Sequence, residues 1–144
     1  RKMRINNREL TVENIIRYVN DVAGVRIICT FTSDIYRIAD AIAKQSDVTV
    51  LRVKDYIANP KPNGYTSYHM IVSIPIFLSN DKIDTKVEIQ IRTIAMDFWA
   101  SLEHKMKYKP EEKLDKKSSK EWINCAKVIE KLDNKMMLLN SSNT

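Results

Sequence analysis

Apolar residues recur along the chain with two different periods, and these periods outline the fold. Helical spacing predicts helices at residues 11–20, 34–45, 94–108 and 119–139. Runs of β-branched and apolar residues predict strands at residues 22–31, 48–53, 65–78 and 82–92. An element order of α-β-α-β-β-β-α-α is typical of an α+β domain, in which helices flank a mixed sheet and a last helix stands at the C-terminus.

The apolar stripes also predict which helix faces are buried. The stripe of the 34–45 helix, for which Ser33 is the predicted N-cap, consists of Ile35, Ile38, Ala39 and Ile42. In the 94–108 helix the stripe consists of Ile94, Phe98, Leu102 and Met106. The last helix has a face that packs either on its own domain or on another subunit, formed by Trp122, Ile129, Leu132 and Met136.

Turn-forming residues separate the predicted strands. Two prolines and an Asn-Gly pair predict a loop over residues 55–64. Residues 79–81, Ser-Asn-Asp, join the two longest strands, so these strands are expected to form an antiparallel hairpin.

Composition narrows the kinds of ligand that such a domain can bind. The chain has 144 residues and a formal net charge of +6, and only 2 residues are glycine. A Gly-rich phosphate loop is therefore excluded, and side chains must hold most of any bound phosphate. The positive charge attracts nucleotides, nucleic acid or anionic lipid, unless it is only surplus surface lysine.

Cysteine usage and hydropathy indicate in which compartment the protein is expected. Cys29 lies in an apolar run and is predicted to be a small core residue, and the distant Cys125 forms no C-x-x-C pair with it. Two unpaired cysteines and the lack of a secretory signal favour a reduced, cytoplasmic setting. The longest apolar stretch, residues 70–78, is far shorter than the ~20 residues that a membrane helix needs, so no membrane partner is expected.

The segment VEIQIR, residues 87–92, carries the strongest chemical signal. Side chains alternate between the two faces of a strand, so Glu88, Gln90 and Arg92 share one face. An acid, an amide and a guanidinium on one ridge suit a metal ligand or general base beside donors for phosphate. A half-exposed strand with a solvated face produces the same pattern.

Acidic residues near the ends of predicted elements add to this signal. Asp21 lies where the first helix ends and the first strand begins. Mg²⁺ prefers one or two carboxylates plus substrate phosphates, so Asp21 and Glu88 are predicted to share one Mg²⁺ ion, unless Asp21 only terminates the helix. Asp97, Ser101 and His104 share a face of the 94–108 helix, at a spacing that any polar helix face can show.

Basic and aromatic residues alternate between residues 52 and 69. Lys54 and Lys61 can neutralise phosphates, and Tyr65 can stack on a purine. Tyr68 and His69 must point to opposite faces of their strand. On the polar face His69 is predicted to donate to a phosphate, unless it is a structural histidine.

Five stretches in order carry a family resemblance: DVAGVRI, RVKDYI, KPNGYTSYH, VEIQIRT and AMDFWASLEHKMKYK. They fall between about Glu13 and Lys109 and resemble the synthetase domain of the RelA/SpoT family, most closely the single-domain small alarmone synthetases. That family transfers the β,γ-pyrophosphate of ATP to the 3′-OH of GDP or GTP, which gives ppGpp or pppGpp and AMP. The resemblance implies a nucleotidyltransferase-like domain at residues 1–110, followed by a charged linker and helix at residues 111–144.

The resemblance also implies a role for each candidate residue. Asp21 and Glu88 would hold Mg²⁺, and Glu88 would take the proton from the 3′-OH. Tyr65 would stack on guanine, Asp97 would lie near it, and Arg26 would lie along the adenine of ATP. Lys54, Lys61 and His69 would meet the guanosine phosphates, and that side of the site would be shaped by Asn63, Gln90 and Arg92. Small synthetases are often homotetramers, and residues 122–139 could supply that contact.

One family feature is not found in this sequence, which begins Arg-Lys-Met-Arg. In the family an R-x-K-x-x-x-S segment precedes the matching region and builds much of the ATP site. A protein without this segment is expected to bind guanosine nucleotides with weak or no catalysis.

Two other functions fit parts of the sequence. Alarmone hydrolysis is disfavoured, because neither His69 nor His104 is followed by the aspartate of the His-Asp pair that family hydrolases use with Mn²⁺. A regulatory nucleotide sensor or a single-stranded RNA binder would suit the net charge and the tyrosines. Against a pure RNA surface, the carboxylate of Glu88 repels backbone phosphate unless a metal lies between them.

Overall fold

The structure, a computed structural model, describes residues 23–107 and 116–142. It confirms the α+β class, with elements in the order β1 (Ala23–Cys29), α1 (Thr32–Ala43), β2 (Thr49–Asp55), β3 (Tyr68–Leu78), β4 (Asp81–Thr93), α2 (Ile94–Lys107) and α3 (Lys116–Ser142). The predicted helix at residues 11–20 and the candidate Asp21 lie outside the described residues. None of the helices in the described part of the chain is long and apolar enough to cross a bilayer.

The strands form one mixed sheet in the order β1-β4-β3-β2. β3 and β4 pair antiparallel over their whole length, which confirms the predicted hairpin. β1 runs parallel to β4, and β2 runs antiparallel to β3 with a bulge between Val50 and Arg52. The core lies on one face of this sheet, and the opposite face is left open to hold polar residues.

The core is formed by the inward residues of β3 and β4 together with α1. The buried residues include Met70, Val72, Ile89, Ile91, Ile35 and Ala39. Ile38 and Ile42 pack on this cluster, so the predicted stripe of α1 is confirmed. Cys29 is buried as predicted, and burial raises the pKa of its thiol.

α1 begins two residues earlier than predicted, at Thr32. Phe31 stands at the N-cap, and its backbone N–H donates to the carboxylate of Asp34 at 3.3 Å. Ser33 therefore lies inside the first turn, and its prediction as the cap is wrong. A carboxylate that reaches back three residues satisfies the cap N–H, and it also suits the positive end of the helix dipole.

The buried face of α2 also differs from the prediction. The predicted stripe is largely exposed, at 63% for Ile94, 62% for Phe98 and 41% for Leu102. The buried residues of α2 are instead Met96, Trp99 and Ala100. α2 has apolar residues on two sides, and the side that carries Trp99 meets α3, where the indole N–H donates to the backbone O of Trp122 at 3.0 Å.

α3 packs on its own domain along part of the predicted face. The rings of Trp99 and Trp122 meet edge to face at 5.9 Å. Leu132 and Met136, which were predicted on the same face, are each 51% exposed. The packed face is therefore rotated away from the predicted one, because α3 lies against Trp99 and the loop that precedes β3.

Residues 65–67 belong to a loop, so the prediction of a strand from residue 65 is wrong at its start. The backbone of Tyr65 is used by the preceding turn: its N–H donates to Oδ1 of Asn63 at 3.0 Å, and its C=O accepts from Lys61 N–H at 3.0 Å. Gly64 has a φ of 100°, a left-handed conformation that favours glycine. This turn takes the place of the sheet hydrogen bonds that the apolar pattern predicts.

Candidate nucleotide site

A row of polar side chains crosses the sheet on the face opposite the core. The strand register pairs Lys54 with His69, His69 with Gln90, and Gln90 with Arg26. Directly paired residues of neighbouring strands lie on the same face. One step along the strands, Glu88 is paired with Ile71 and Gly24, so the carboxylate lies beside this row.

Adjoining clefts open along the row. One of ≈ 440 Å³ lies over β2 and β3, and its lining includes Lys54, Lys61, Tyr65, His69, Glu88 and Gln90. Another of ≈ 400 Å³ lies between the sheet and α2, and its lining includes Arg26, Tyr65, Gln90, Arg92, Ser101 and His104. A third of ≈ 240 Å³ lies along β1, where Arg26, Glu88 and Gln90 line it. Gln90 borders all of these clefts, so together they form one continuous site of a size that suits nucleotides.

Tyr65 stands between the two larger clefts and forms their shared wall. Its ring meets the rings of Tyr56 and His69 edge to face, with centroids 6.1 Å and 5.7 Å away. The Lys61 ammonium lies 5.0 Å from the centroid of Tyr65 and 4.9 Å from that of Tyr56. A planar ring with a cation beside it can accept a flat base and hold an anionic group close to it.

Arg92 connects this tyrosine to the sheet. It is only 3% exposed, and its guanidinium donates to Oε1 of Gln90 at 2.5 Å, to the Tyr65 hydroxyl at 3.3 Å and to Oδ1 of Asp97 at 3.3 Å. A buried guanidinium is strongly destabilising unless an acid and further acceptors compensate its charge. Asp97 supplies that charge, so Arg92 is held rigidly beneath the tyrosine.

His69 is held neutral by its surroundings. Burial lowers the pKa of its imidazole, Lys61, Arg92 and Lys54 lower it further, and Glu88 opposes them. Its Nε2 lies 2.9 Å from the Tyr65 hydroxyl. Arg92 donates to that same hydroxyl, so the Tyr65 oxygen joins the imidazole and the guanidinium in one hydrogen-bonded group.

Asp97 lies in the first turn of α2 and joins two arginines. Its Oδ1 is 3.3 Å from Nη1 of Arg92 and 3.7 Å from Nη1 of Arg26. The Arg26 side chain is 55% exposed and borders two of the clefts. One carboxylate therefore contacts a guanidinium beneath Tyr65 and another on β1, at opposite sides of the site.

Glu88 is exposed and borders the clefts over β3 and along β1. Its Oε1 accepts from the Gln90 amide at 3.5 Å, which leaves most of its lone pairs open to the cleft. No group of three or more candidate metal ligands occurs within residues 23–107 and 116–142. A single carboxylate in an open cleft fits Mg²⁺, which takes one or two carboxylates and completes its shell with phosphates and water. The pairing of Glu88 with Asp21 stays a prediction.

Sequence reasoning missed Asp55, which fixes the loop of the site. Its Oδ1 accepts from the backbone N–H groups of Ile57 and Ala58 at 2.9 Å and 3.0 Å. Its Oδ2 accepts from the Tyr36 hydroxyl at 2.8 Å, and burial with this hydrogen bond raises the pKa of Tyr36 to about 12. The position of Asp55, just before a Pro- and Gly-containing loop, is a turn signal that could have identified it.

A mixed sheet with a charged, tyrosine-bordered cleft on its open face defines an α+β domain with a candidate nucleotide site. The chain belongs to the family described as the region found in RelA / SpoT proteins, whose model matches residues 1–113. It is 47% identical over 129 residues to the GTP pyrophosphokinase YwaC of Bacillus subtilis, which covers 90% of this chain. The match spans 61% of that relative's own length.

Solved structures show the same fold. The chain superposes on the small alarmone synthetase 2 of Bacillus subtilis with a TM-score of 0.81 at 45% identity, covering 91% of this chain and 74% of that one. It superposes on the small alarmone synthetase 1 of the same organism, bound to its product pppGpp, with a TM-score of 0.78 at 34% identity, covering 98% of this chain and 70% of that one. These neighbours confirm the predicted nucleotidyltransferase-like fold.

Proposed function

We propose that this chain contains the acceptor-nucleotide site and the general base of a GTP pyrophosphokinase. The enzyme moves the β,γ-pyrophosphate of ATP to the 3′-OH of GDP or GTP. A bond forms between the 3′ oxygen and the β-phosphorus, the bond from that phosphorus to the oxygen of the α-phosphate breaks, and AMP leaves. The observation that carries this proposal is the Tyr65 wall beside Glu88 and the lysines in one continuous cleft.

The larger cleft over β2 and β3 is proposed to bind the guanosine nucleotide. Guanine stacks on Tyr65, whose ring is presented by the Asn63–Gly64 turn. Lys54, Lys61 and His69 face the same cleft and are proposed to contact the phosphates. A neutral His69 contributes a hydrogen bond rather than a charge. Gln90 and Arg92 shape the floor, and a small alarmone synthetase with pppGpp bound supports this choice of ligand.

The side of the site along β1 is proposed to bind ATP. Arg26 is half exposed there, and a guanidinium can stack on the adenine ring. Asp97 contacts Arg26 and Arg92 from the start of α2. From that position it is proposed to lie near guanine, whose N1–H and N2–H₂ are donors that a carboxylate can accept.

Glu88 is proposed to take the proton of the 3′-OH as this oxygen attacks phosphorus. The hydroxyl holds its proton too tightly at neutral pH to react unaided, and a positioned carboxylate removes it in the transition state. We propose that the divalent ion is Mg²⁺, held by Glu88 and by Asp21, where it would neutralise charge on the transferred pyrophosphate. Gln90 holds one oxygen of Glu88 in place.

Nucleotide binding with and without Mg²⁺ tests this function. The chain should bind GDP or GTP more tightly than ADP, and Mg²⁺ should strengthen that binding. Incubation with ATP, GTP and Mg²⁺ should release AMP and give a guanosine product with a 3′-pyrophosphate when the R-x-K-x-x-x-S segment of the family is supplied, and only weakly or not at all without it. Preference for an RNA oligomer over GDP, with steep weakening by salt, would identify a single-stranded RNA binder instead.

We also propose that the chain forms a homo-oligomer through α3, with a tetramer favoured. Beyond the face that packs on the domain, α3 exposes a second apolar stripe at helical spacing, and its members are Val128, Leu132, Met136 and Leu139. Sedimentation of the wild type and of Leu132→Glu tests this proposal. A wild-type chain that sediments as a monomer at every concentration contradicts it.

A further inference from the structure

The C-terminal helix α3 contacts both walls of the proposed guanosine site from behind. One wall is the turn that presents Tyr65, and the other is the start of α2, which carries Asp97. Neither contact involves the exposed stripe of α3, and no residue of α3 lines the two larger clefts of the site. Their shared position suggests a role beyond holding the helix to the domain.

The first contact joins Asp133 of α3 to Thr93 at the end of β4. The Thr93 hydroxyl donates to Oδ2 of Asp133 at 2.7 Å and accepts from the backbone N–H of Met96 at 3.1 Å. Thr93 is fully buried, so this hydroxyl has no access to water. Burial raises the pKa of the Asp133 carboxyl, which shows that it too has left much of its water for this contact.

This hydrogen-bond chain fixes where α2 begins. Thr93 serves as the N-cap, because its oxygen satisfies an N–H of the first turn that has no partner within the helix. Asp97 lies in that same first turn and holds Arg92, which in turn donates to the hydroxyl of Tyr65. A displacement of the start of α2 would therefore be transmitted to Tyr65 through these two hydrogen bonds.

The second contact joins α3 to the turn. A Cβ atom built on Gly64 would lie 3.0 Å from Cβ of Ala126 and 3.4 Å from Cα of Ile123, both in α3. The same position is 3.4 Å from the ring of Trp99 on α2. The turn before Tyr65 is thus closely covered by α3 and α2, and the helix limits how far that turn can move.

We propose that Asp133 is a positioning residue for the guanosine nucleotide, acting through Thr93 on the start of α2 and so on Asp97, Arg92 and Tyr65. This inference rests on the proposed function, since it names Tyr65 as the wall against which guanine stacks. Its consequence is selective. Loss of the Asp133–Thr93 bond disturbs the guanosine side of the site more than the ATP side, because Arg26 is carried by β1 and only its 3.7 Å contact reaches Asp97.

The experiment measures the Kd of GDP and, separately, of a non-hydrolysable ATP analogue, each with Mg²⁺. Asp133→Ala removes the acceptor and leaves the buried hydroxyl of Thr93 with a proton that no acceptor takes. We expect GDP binding to weaken about 10-fold, with the ATP analogue changed by less than about 2-fold. Asp133→Asn keeps an oxygen that accepts from Thr93, so it should restore GDP binding to within about 2-fold.

Two controls separate positioning from loss of stability. Glu130→Ala removes an exposed carboxylate one turn earlier on the same helix and should leave both Kd values unchanged. Thr93→Val should reproduce the selective weakening of GDP binding. Thr93→Ser keeps the hydroxyl and should bind GDP like the wild type. Circular dichroism and Tm show for each variant how much of the chain is folded.

The outcomes distinguish this inference from the function on which it rests. Wild-type protein that binds GDP with Mg²⁺, while Asp133→Ala changes only the Tm, overturns the positioning role and leaves the proposed function standing. Equal weakening of GDP and the ATP analogue overturns it as well, since that is the effect of a merely structural residue. Wild-type protein that binds no guanosine nucleotide overturns both.

Discussion

The two faces of β4 are built from alternate residues of one strand, yet they differ in their physical make-up. On one face Ile89 and Ile91 are 6% and 0% exposed and pack in the core. On the other, Glu88 borders open clefts, and Gln90 and Arg92 are joined by hydrogen bonds. Apolar packing on the first face contributes mainly to stability, whereas charge and hydrogen bonding on the second face serve binding and chemistry. Side chains alternate between the two faces of a strand, so the sequence neighbour of each candidate site residue lies on the core face and can serve as its control.

Glu88→Gln gives the largest expected effect on the polar face. The amide keeps the shape of the side chain but is a far weaker base and a poorer metal ligand. In a protein that makes the guanosine product, the rate of AMP release should fall about 10³-fold or more, with GDP affinity and Tm almost unchanged. A near-normal rate would show that Glu88 is neither the base nor a metal ligand.

Ile91→Ala is the matching change on the core face. Ile91 is fully buried, and truncation to alanine at such a site costs about 2–5 kcal/mol through lost burial and the cavity that remains. Chemical denaturation should show this loss, while the folded fraction binds GDP with nearly the wild-type Kd. A large change in the Kd of folded protein would mean that the two faces are not separable.

Tyr65→Ala tests the wall of the larger cleft. Loss of a stacking ring typically costs about 1–3 kcal/mol per base, so GDP should bind roughly 10- to 100-fold more weakly. Tyr65→Phe keeps the ring and loses only the hydroxyl contacts to Arg92 and His69, so its effect should be a few-fold. The control is Tyr68→Phe, since Tyr68 packs against Tyr36 on the other side of the strand. Equal losses for the alanine variant and this control would contradict stacking on Tyr65.

The alternation of β4 could be predicted from sequence because it depends only on the strand period. The hairpin and the opposite orientation of Tyr68 and His69 follow from the same local rule, and both are observed. The family resemblance then directed attention to residues that the structure brings together, among them Lys54, His69 and Gln90.

The errors at Ser33 and at the start of β3 have local causes, whereas the buried face of α2 and the Thr93–Asp133 contact depend on partners that are distant in sequence. α2 has two apolar sides, and only the position of Trp122 on α3 decides that Trp99, rather than Phe98, is buried. The contact between Thr93 and Asp133 spans 40 positions and has no local signal. The division of the chain at residue 110 and the cytoplasmic setting stay predictions.

Substitution of His69 gives the smallest expected effect. It tests how far the polar face also contributes to stability. Its pKa is lowered from the ordinary value of 6.5 in the folded chain, chiefly by burial. The unfolded chain therefore binds the proton more readily, so the stabilisation is present above about pH 6.5 and is lost as the pH falls through the folded pKa. Between about pH 7.5 and about pH 5.5 the Tm of the wild type should therefore fall further than that of His69→Gln.

The glutamine variant makes this comparison specific. It keeps a polar side chain of similar reach next to the Tyr65 hydroxyl but cannot gain a proton. Parallel Tm profiles would show that His69 is protonated as easily in the folded chain as in the unfolded one. The proposal that a neutral imidazole links Tyr65 to the phosphate side of the cleft would then be wrong. His69 would instead act on the phosphates as a cation, like Lys54 and Lys61.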